Sequence, residues 1–479
     1  MISFVLSLFL LVVGYFVYGR FVERVFGPDD RRTPAVAKAD GVDYIVLPGW
    51  KVFMVQFLNI AGTGPIFGAI MGAKFGPSAY LWIVFGCIFA GAVHDYLTGM
   101  LSMRHDGASL PELVGTYLGG KMKTVLLVFS ILVLLMVGTV FVFSPALILG
   151  GMTGEGTGFV MFWVAIIFLY YILATMLPID KIIGRIYPFF AFALLFMAVA
   201  LMAVLLVKWP TLPEIWQMDS VENLAGQAVF PCLFITIACG AVSGFHATQS
   251  PLMARCLDSE HKGRPVFYGA MITEGVVALI WATVASWFFY DGGAAEVGSS
   301  MAAQAPEVVT AVSKGWLGFV GGILALLGVV AAPITSGDTA FRSARLIVAD
   351  FLHFSQKPIR NRLLVSIPLF AIAALLLWFN VADAQGFNTI WNYFGWSNQT
   401  LSCFTLWTAT IYLSKRKGFA YWITLVPAMF MTLVCTTFIC VSGVGFGLSM
   451  PIGLTAGFVL CLLLGILFYT KNKTHEKLS

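Results

Sequence analysis

Apolar stretches of about 20 residues recur from one end of this chain to the other, each long enough to cross a hydrocarbon core of about 30 Å as a helix. They cover residues 1–20, 49–73, 78–102, 123–150, 159–177, 185–208, 226–254, 264–290, 316–341, 362–380, 387–413, 419–441 and 448–470. No polar stretch between them is long enough for a soluble domain. Charged residues make up only 11% of the 479, against about 25% in soluble proteins. The pattern predicts an all-α polytopic membrane protein of about 13 transmembrane helices, with the lipid bilayer as its main partner.

Alternate loops set the orientation, because lysine and arginine collect on the cytoplasmic side. Of the 28 lysines and arginines, only Lys74, Lys208 and Lys314 fall on one side. The rest, from Arg20 and Arg24 through Lys181, Arg185 and Lys357 to Lys417, Lys471, Lys473 and Lys477, fall on the other. The N-terminus is therefore expected outside and the C-terminus in the cytoplasm. The first stretch carries its arginines after the apolar run, which favours an uncleaved anchor over a signal peptide. Residues 291–316 form a long acidic outer loop whose second half is either a short amphipathic helix or plain surface.

The same charge distribution accounts for the net charge of +5, so no nucleic-acid partner is implied. Eight cysteines lie mostly inside spans without a CxxC pair, and are read as small apolar residues. No GxxxxGK[ST] motif is present, which excludes an ATP-driven pump of that class. His246, Ser250 and Cys256 invite a nucleophile reading, but no oriented base or HExxH pattern accompanies them, so an enzyme is not expected.

Two spans are interrupted. "NIAGTGPI" packs Gly62, Thr63, Gly64 and Pro65 into the middle of the second, and "SGFHATQSPLMARC" breaks the seventh between Ser243 and Pro251. Proline lacks a backbone donor and glycine favours unwinding, and exposed backbone at membrane depth is tolerated only against protein or a watery cavity. Each break heads a block of five spans. Five is odd, so the second block enters from the opposite face. That arrangement predicts a leucine-transporter-like 5+5 inverted repeat with two discontinuous helices. Its parts are an anchor and linker (1–45), the first repeat (46–210), the second (211–415) and two terminal helices with a tail (416–479). Half-helix N-termini near Gly64 and near Thr248 to Pro251 are expected to attract an anion, and carbonyls around Asn59 to Gly62 and Cys239 to Ser243 a cation or proton-carrying water. The residues expected to bind substrate are Gly62, Thr63, Gly64, Ser243, Gly244, Phe245, His246, Thr248 and Gln249.

Ionisable groups at bilayer depth cost about 2.5–3.5 kcal/mol even on lenient scales, which singles out Asp95, Glu274 and Asp338 as ion-coupling residues. His94 and Asp95 are adjacent and are expected on different faces. Asp338 either couples ions or pairs with Arg342 four positions on. Thr335 and Ser336 either complete a sodium site of hard oxygen ligands or spend their hydroxyls on their own helix. Span eleven is loaded with Asn392, Ser397, Asn398 and Gln399.

The segments "SGFHATQSPLMARC", "NIAGTGPI", "PITSGDTAFRSAR" and "RHDGASLPELVG" resemble the signature segments of the carbon starvation protein A (CstA) family of bacterial inner-membrane transporters, and the likeness runs from about residue 1 to 413. The resemblance implies uptake of peptides during nutrient limitation or, in close relatives, pyruvate entry by proton symport. The positions lying in matching motifs are Gly62 to Pro65, Asp95, Ser243 to Gln249 and Thr335 to Asp338. The expected function is secondary active import of a small carboxylate-bearing nutrient, peptides first, across the inner membrane. No cofactor beyond H+ or Na+ as coupling ion is expected. A nutrient-binding sensor is the alternative of another class.

Overall fold

Backbone amides in hydrocarbon must find their partners inside their own segment, so a chain this apolar folds into helices. The computed structural model describes residues 1–476 other than 155, 177–178, 357, 383–385 and 417, with side chains except at 179–186, 320–321, 324–325, 382, 386–388 and 471–476. No strand occurs among the described residues. Lys181, Arg185, Lys357, Lys417, Lys471, Lys473 and Lys477, assigned to the cytoplasmic side from sequence, lie outside the described side chains, as do residue 177 and the start of the span expected at 185–208.

The chain begins with α1 (Ile2–Phe26), α2 in two halves (Gly49–Ile60 and Gly64–Ala73), α3 (Ser78–Arg104), α4 (Gly120–Thr153), α5 (Thr157–Met176) and α6 (Ile179–Lys208). There follow α7, again in two halves (Val229–Thr236 and His246–Ala254), α8 (Glu260–Tyr290), α9 (Ala305–Phe351), α10 (Ile359–Ala382) and α11 (Gly386–Arg416). The last two are α12 (Trp422–Val441) and α13 (Met450–Glu476). Among the described residues, nine helices are long and apolar enough to cross a membrane, and the halves of α2, bent by 54°, make a tenth when taken as one span. The chain is a multi-pass membrane protein. The other three elements stand at expected positions without meeting that measure. α7 is cut into pieces of 8 and 9 residues, α9 breaks at Gly318, and α11 carries the polar run around Asn398. The second half of the loop at 291–316 is helical from Ala305, with a capping box between Gln304 and Glu307 at its start, and runs into α9.

Packing gathers most of the helices into two bodies that α9 and α11 share. One apolar cluster centres on α1, α2, α3, α6, α7, α8 and α12, the other on α4, α5 and α10, and α9 and α11 contribute to both. α3 and α8 are buried nearly all round, whereas α5, α6 and α13 turn large apolar side chains outward, among them Phe162, Leu169, Phe189, Phe192, Leu462 and Ile466. A face of that kind suits lipid. At one end, Arg104 of α3 makes a forked pair with the buried Glu260 at the start of α8 (3.0 and 2.9 Å) and lies over the Phe26 ring, which fixes α1, α3 and α8 together.

Candidate functional site

The two interruptions meet. A Cβ built on Gly64 would stand 2.3 Å from the Cβ of Cys239, so a residue with no side chain is what lets the first break reach the second. In α2 the helix stops at Ile60 and resumes at Gly64 with a π-helical turn, where sequence placed it. In α7 the unwound stretch is earlier than expected: residues 237–245 are non-helical and Pro251 lies inside the second half. The cause is Gly240, whose φ of 91° is a left-handed turn open to glycine. Pro251 leaves Ala247 as the carbonyl without an intrahelical donor, and the neighbouring Ser250 hydroxyl donates to the His246 carbonyl (3.1 Å).

The donors freed at the second break do not face open space. Asn398 of α11 takes the Phe245 amide on Oδ1 (2.6 Å) and the Gly244 amide on its backbone carbonyl (3.2 Å), and donates from Nδ2 to Ser243 Oγ (3.0 Å). The freed carbonyls of Phe234 and Ile237 accept from Gln399 Nε2 and the Trp82 indole, both at 2.8 Å. The expectation of unpaired amides near Thr248 to Pro251 is therefore corrected: the half-helix starts at His246, and the amides just before it are occupied by the side chain and backbone of Asn398, a residue the sequence reading had left in span eleven.

Across the breaks runs a chain of fully buried ionisable groups. Asp95 of α3 receives His94 Nδ1 on Oδ1 (2.8 Å) and His246 Nδ1 on Oδ2 (2.8 Å). His94 and Asp95 thus touch, contrary to the expectation from their adjacency, because the imidazole folds back over its neighbour's carboxylate. His246 Nε2 stands 3.5 Å from Glu274 Oε2 of α8. A carboxylate only accepts, so each Nδ1 presents its proton to Asp95. Cys239, His246 and Glu274 bring one ligand atom each within 4.8 Å of one another. Three donors are short of the closed set of four in a structural metal site and match the count of an open one, and the same atoms belong to the polar chain.

Further polar atoms line the two broken helices. Gln56 Nε2 donates to Ser250 Oγ (3.3 Å), and Gln249 Nε2 to Thr248 Oγ1 (2.9 Å). Both polar atoms of Asn59, Thr63 Oγ1 and Gln249 Oε1 are buried without a hydrogen-bond partner among the described residues, which is uncommon in a finished core. Ser336 of α9 donates to the Leu58 carbonyl of α2 (3.0 Å), while Thr335 bonds back to Ala331 and Ala332 of its own helix. The two hydroxyls are thus directed to different carbonyls. Asp338 accepts from Tyr187 Oη (2.6 Å). The site therefore gathers Gly62 to Gly64, Asp95, Ser243 to Gln249 and Glu274, with Thr335, Ser336 and Asp338 one helix away. Sequence reading passed over the side chains of Gln56 and Asn59 and the thiol of Cys239. The signal was there for the first two, as amides inside an apolar span.

With this geometry in hand, comparison with known proteins decides the family. The family model described as carbon starvation protein CstA matches residues 1–154, 150–320 and 291–438. The chain belongs to the CstA family. A CstA-family relative, the peptide transporter CstA of Escherichia coli, is 27% identical over 90% of this chain and 79% of its own length. Another, the pyruvate/proton symporter BtsT of the same organism, is 26% identical over 90% of this chain and 80% of its own. Among solved structures, a manganese transporter of Eremococcus coleocola superposes with a TM-score of 0.56 over 91% of this chain and 99% of that one, at 11% identity. That likeness concerns the fold of this CstA-family chain alone.

Proposed function

We propose that this chain is a secondary active transporter that imports a small carboxylate-bearing nutrient across the bacterial inner membrane by alternating access, with the N-terminus outside and the C-terminus in the cytoplasm. The observation that carries the reading is the meeting of two broken helices over the buried Asp95–His246–Glu274 chain. Broken helices at a shared centre are how transporters present backbone and side chains to cargo at the bilayer midplane. The packing supports repeats at 46–210 and 211–415: α2 with α7 and α3 with α8 share one body and α5 with α10 the other, while α9 spans both. α3 and α8 also each carry a π-helical turn ahead of their carboxylate.

Peptides are the first cargo class, from the relatives named peptide transporters. Pyruvate taken in with a proton is the second, and the buried chain favours it, because two carboxylates flanking an imidazole can hold and pass a proton without exposing charge to lipid. Reconstituted protein should accumulate labelled pyruvate or alanyl-alanine in liposomes under an inward proton gradient. Asp95→Asn should cut gradient-driven accumulation at least tenfold, the scale of losing one charged partner of a buried pair, and spare exchange between internal and external substrate. Accumulation driven by sodium alone would move the coupling site to Thr335 and Ser336. Binding without accumulation under any gradient would make the protein a sensor.

A further inference from the structure

The second break gathers ligand-type atoms from both of its sides and from α8. Cys239 lies in the unwound stretch, His246 opens the second half of α7 and Glu274 stands on α8, all three buried. His246 Nε2 and both Glu274 oxygens are buried without a hydrogen-bond partner among the described residues. The Cys239 side chain and the Gly240 amide lie close enough to act on the imidazole and the carboxylate without closing to hydrogen bonds with these atoms. The thiol donates instead to Ser243 Oγ at 3.4 Å, a weak bond from a weak donor.

The spacing decides what can stand between them. His246 Nδ1 presents its proton to Asp95 (2.8 Å), so in the neutral ring Nε2 carries a lone pair, and it stands 3.5 Å from Glu274 Oε2. Two buried acceptors this close repel unless a positive species lies between them. A proton on Nε2 would draw a charge-assisted pair to about 2.7–2.9 Å. A tetrahedral zinc ion, with bonds of about 2.0–2.3 Å, instead holds its ligand atoms about 3.3–3.6 Å apart, and the observed 3.5 Å falls there. The Cys239 sulfur completes a set whose members all lie within 4.8 Å of one another, and Asp95 supplies the carboxylate that fixes a ligating imidazole through its far nitrogen. A thiolate, an imidazole and a carboxylate suit zinc over the hard cations calcium and magnesium. Two anionic ligands also cancel a divalent charge at a depth where net charge is costly.

We propose that Cys239, His246 and Glu274 bind one divalent transition-metal ion of the zinc type, with Asp95 orienting His246 and a fourth coordination position open to a small exchangeable ligand. The ion fastens the unwound stretch and the second half of α7 to α8. It and the proton of the import reading are alternative occupants of one gap, so the inference concerns that same centre without resting on import. Its test is a Co2+ titration of the purified full chain after chelator treatment, since Co2+ occupies tetrahedral zinc sites and reports a thiolate ligand by a charge-transfer absorption in the near ultraviolet. Wild type should take up one equivalent with that absorption, yield it to Zn2+ and not to Mg2+, and gain thermal midpoint in Zn2+ by mass action. Cys239→Ser should abolish the absorption. Asp95→Asn should weaken Co2+ binding by about 10–100-fold with the absorption kept, the scale of removing the outer partner of a ligating histidine, and Glu274→Gln by about tenfold or more. Cys440→Ser, which alters a thiol on α12, should titrate as wild type does. No uptake by wild type, an absorption that survives Cys239→Ser, or affinity unaltered in both Asp95→Asn and Glu274→Gln would overturn the proposal. If Glu274→Gln does not fold, wild type and Cys239→Ser still decide it. A protein that titrates as expected yet accumulates neither pyruvate nor alanyl-alanine keeps the metal site and loses the import reading; the reverse result keeps import and loses the site.

Discussion

A methyl group at residue 64 has nowhere to go, since the Cys239 Cβ already stands 2.3 Å from its position. Gly64→Ala is expected to lower stability by about 1–3 kcal/mol through overpacking, read as a drop in the thermal midpoint in detergent. Cys239→Gly in the same chain should return part of it. A Gly64→Ala protein as stable as wild type would mean the two breaks do not touch. At this scale, sequence reading found what stands out against its own span: Asp95, His246 and Glu274 are charged or titratable groups among apolar neighbours. Their pairing was hidden. Asp95 and His246 are 151 positions apart, and nothing local says which of two histidines a carboxylate will meet.

Among the elements, α11 shows how a helix can support an interruption in another. Asn398 binds Ser243 and the Phe245 amide through its side chain and the Gly244 amide through its backbone carbonyl, so Asn398→Ala would leave the buried Phe245 amide unmet at about 1–3 kcal/mol. The expected result is a lower thermal midpoint and faster amide exchange confined to residues 243–248; exchange unchanged there would show that α11 does not hold the break. The polar run from Asn392 to Gln399 was legible as a warning that this helix faces protein, but its partner was not. The position of the second break shifted for a comparable reason. Pro251 is the loudest helix breaker in the segment, yet it stands inside the second half-helix, which gives up the one bond to the Ala247 carbonyl and continues, and a left-handed glycine upstream does the unwinding.

For the whole molecule, hydropathy and charge placed most of the long elements within a few residues, because length and apolarity are imposed by the bilayer and need no tertiary knowledge; α9 is the exception, running from Ala305 to Phe351 where the sequence predicts 316–341. Orientation is open to a direct check. In a background without reactive cysteines, Lys314→Cys should label from outside intact cells and Lys121→Cys only after the membrane is opened, both positions being exposed. Reversed labelling would invert the proposed topology. One long helix connects what the two bodies do. α9 bonds the α2 break through Ser336, the second half of α7 through Ser343, and the loop before α2 through Arg345. On the alternating-access reading proposed above, a leak would require both ends to stand open together, and a single rod fastened to both broken helices would be the shared bolt of that airlock.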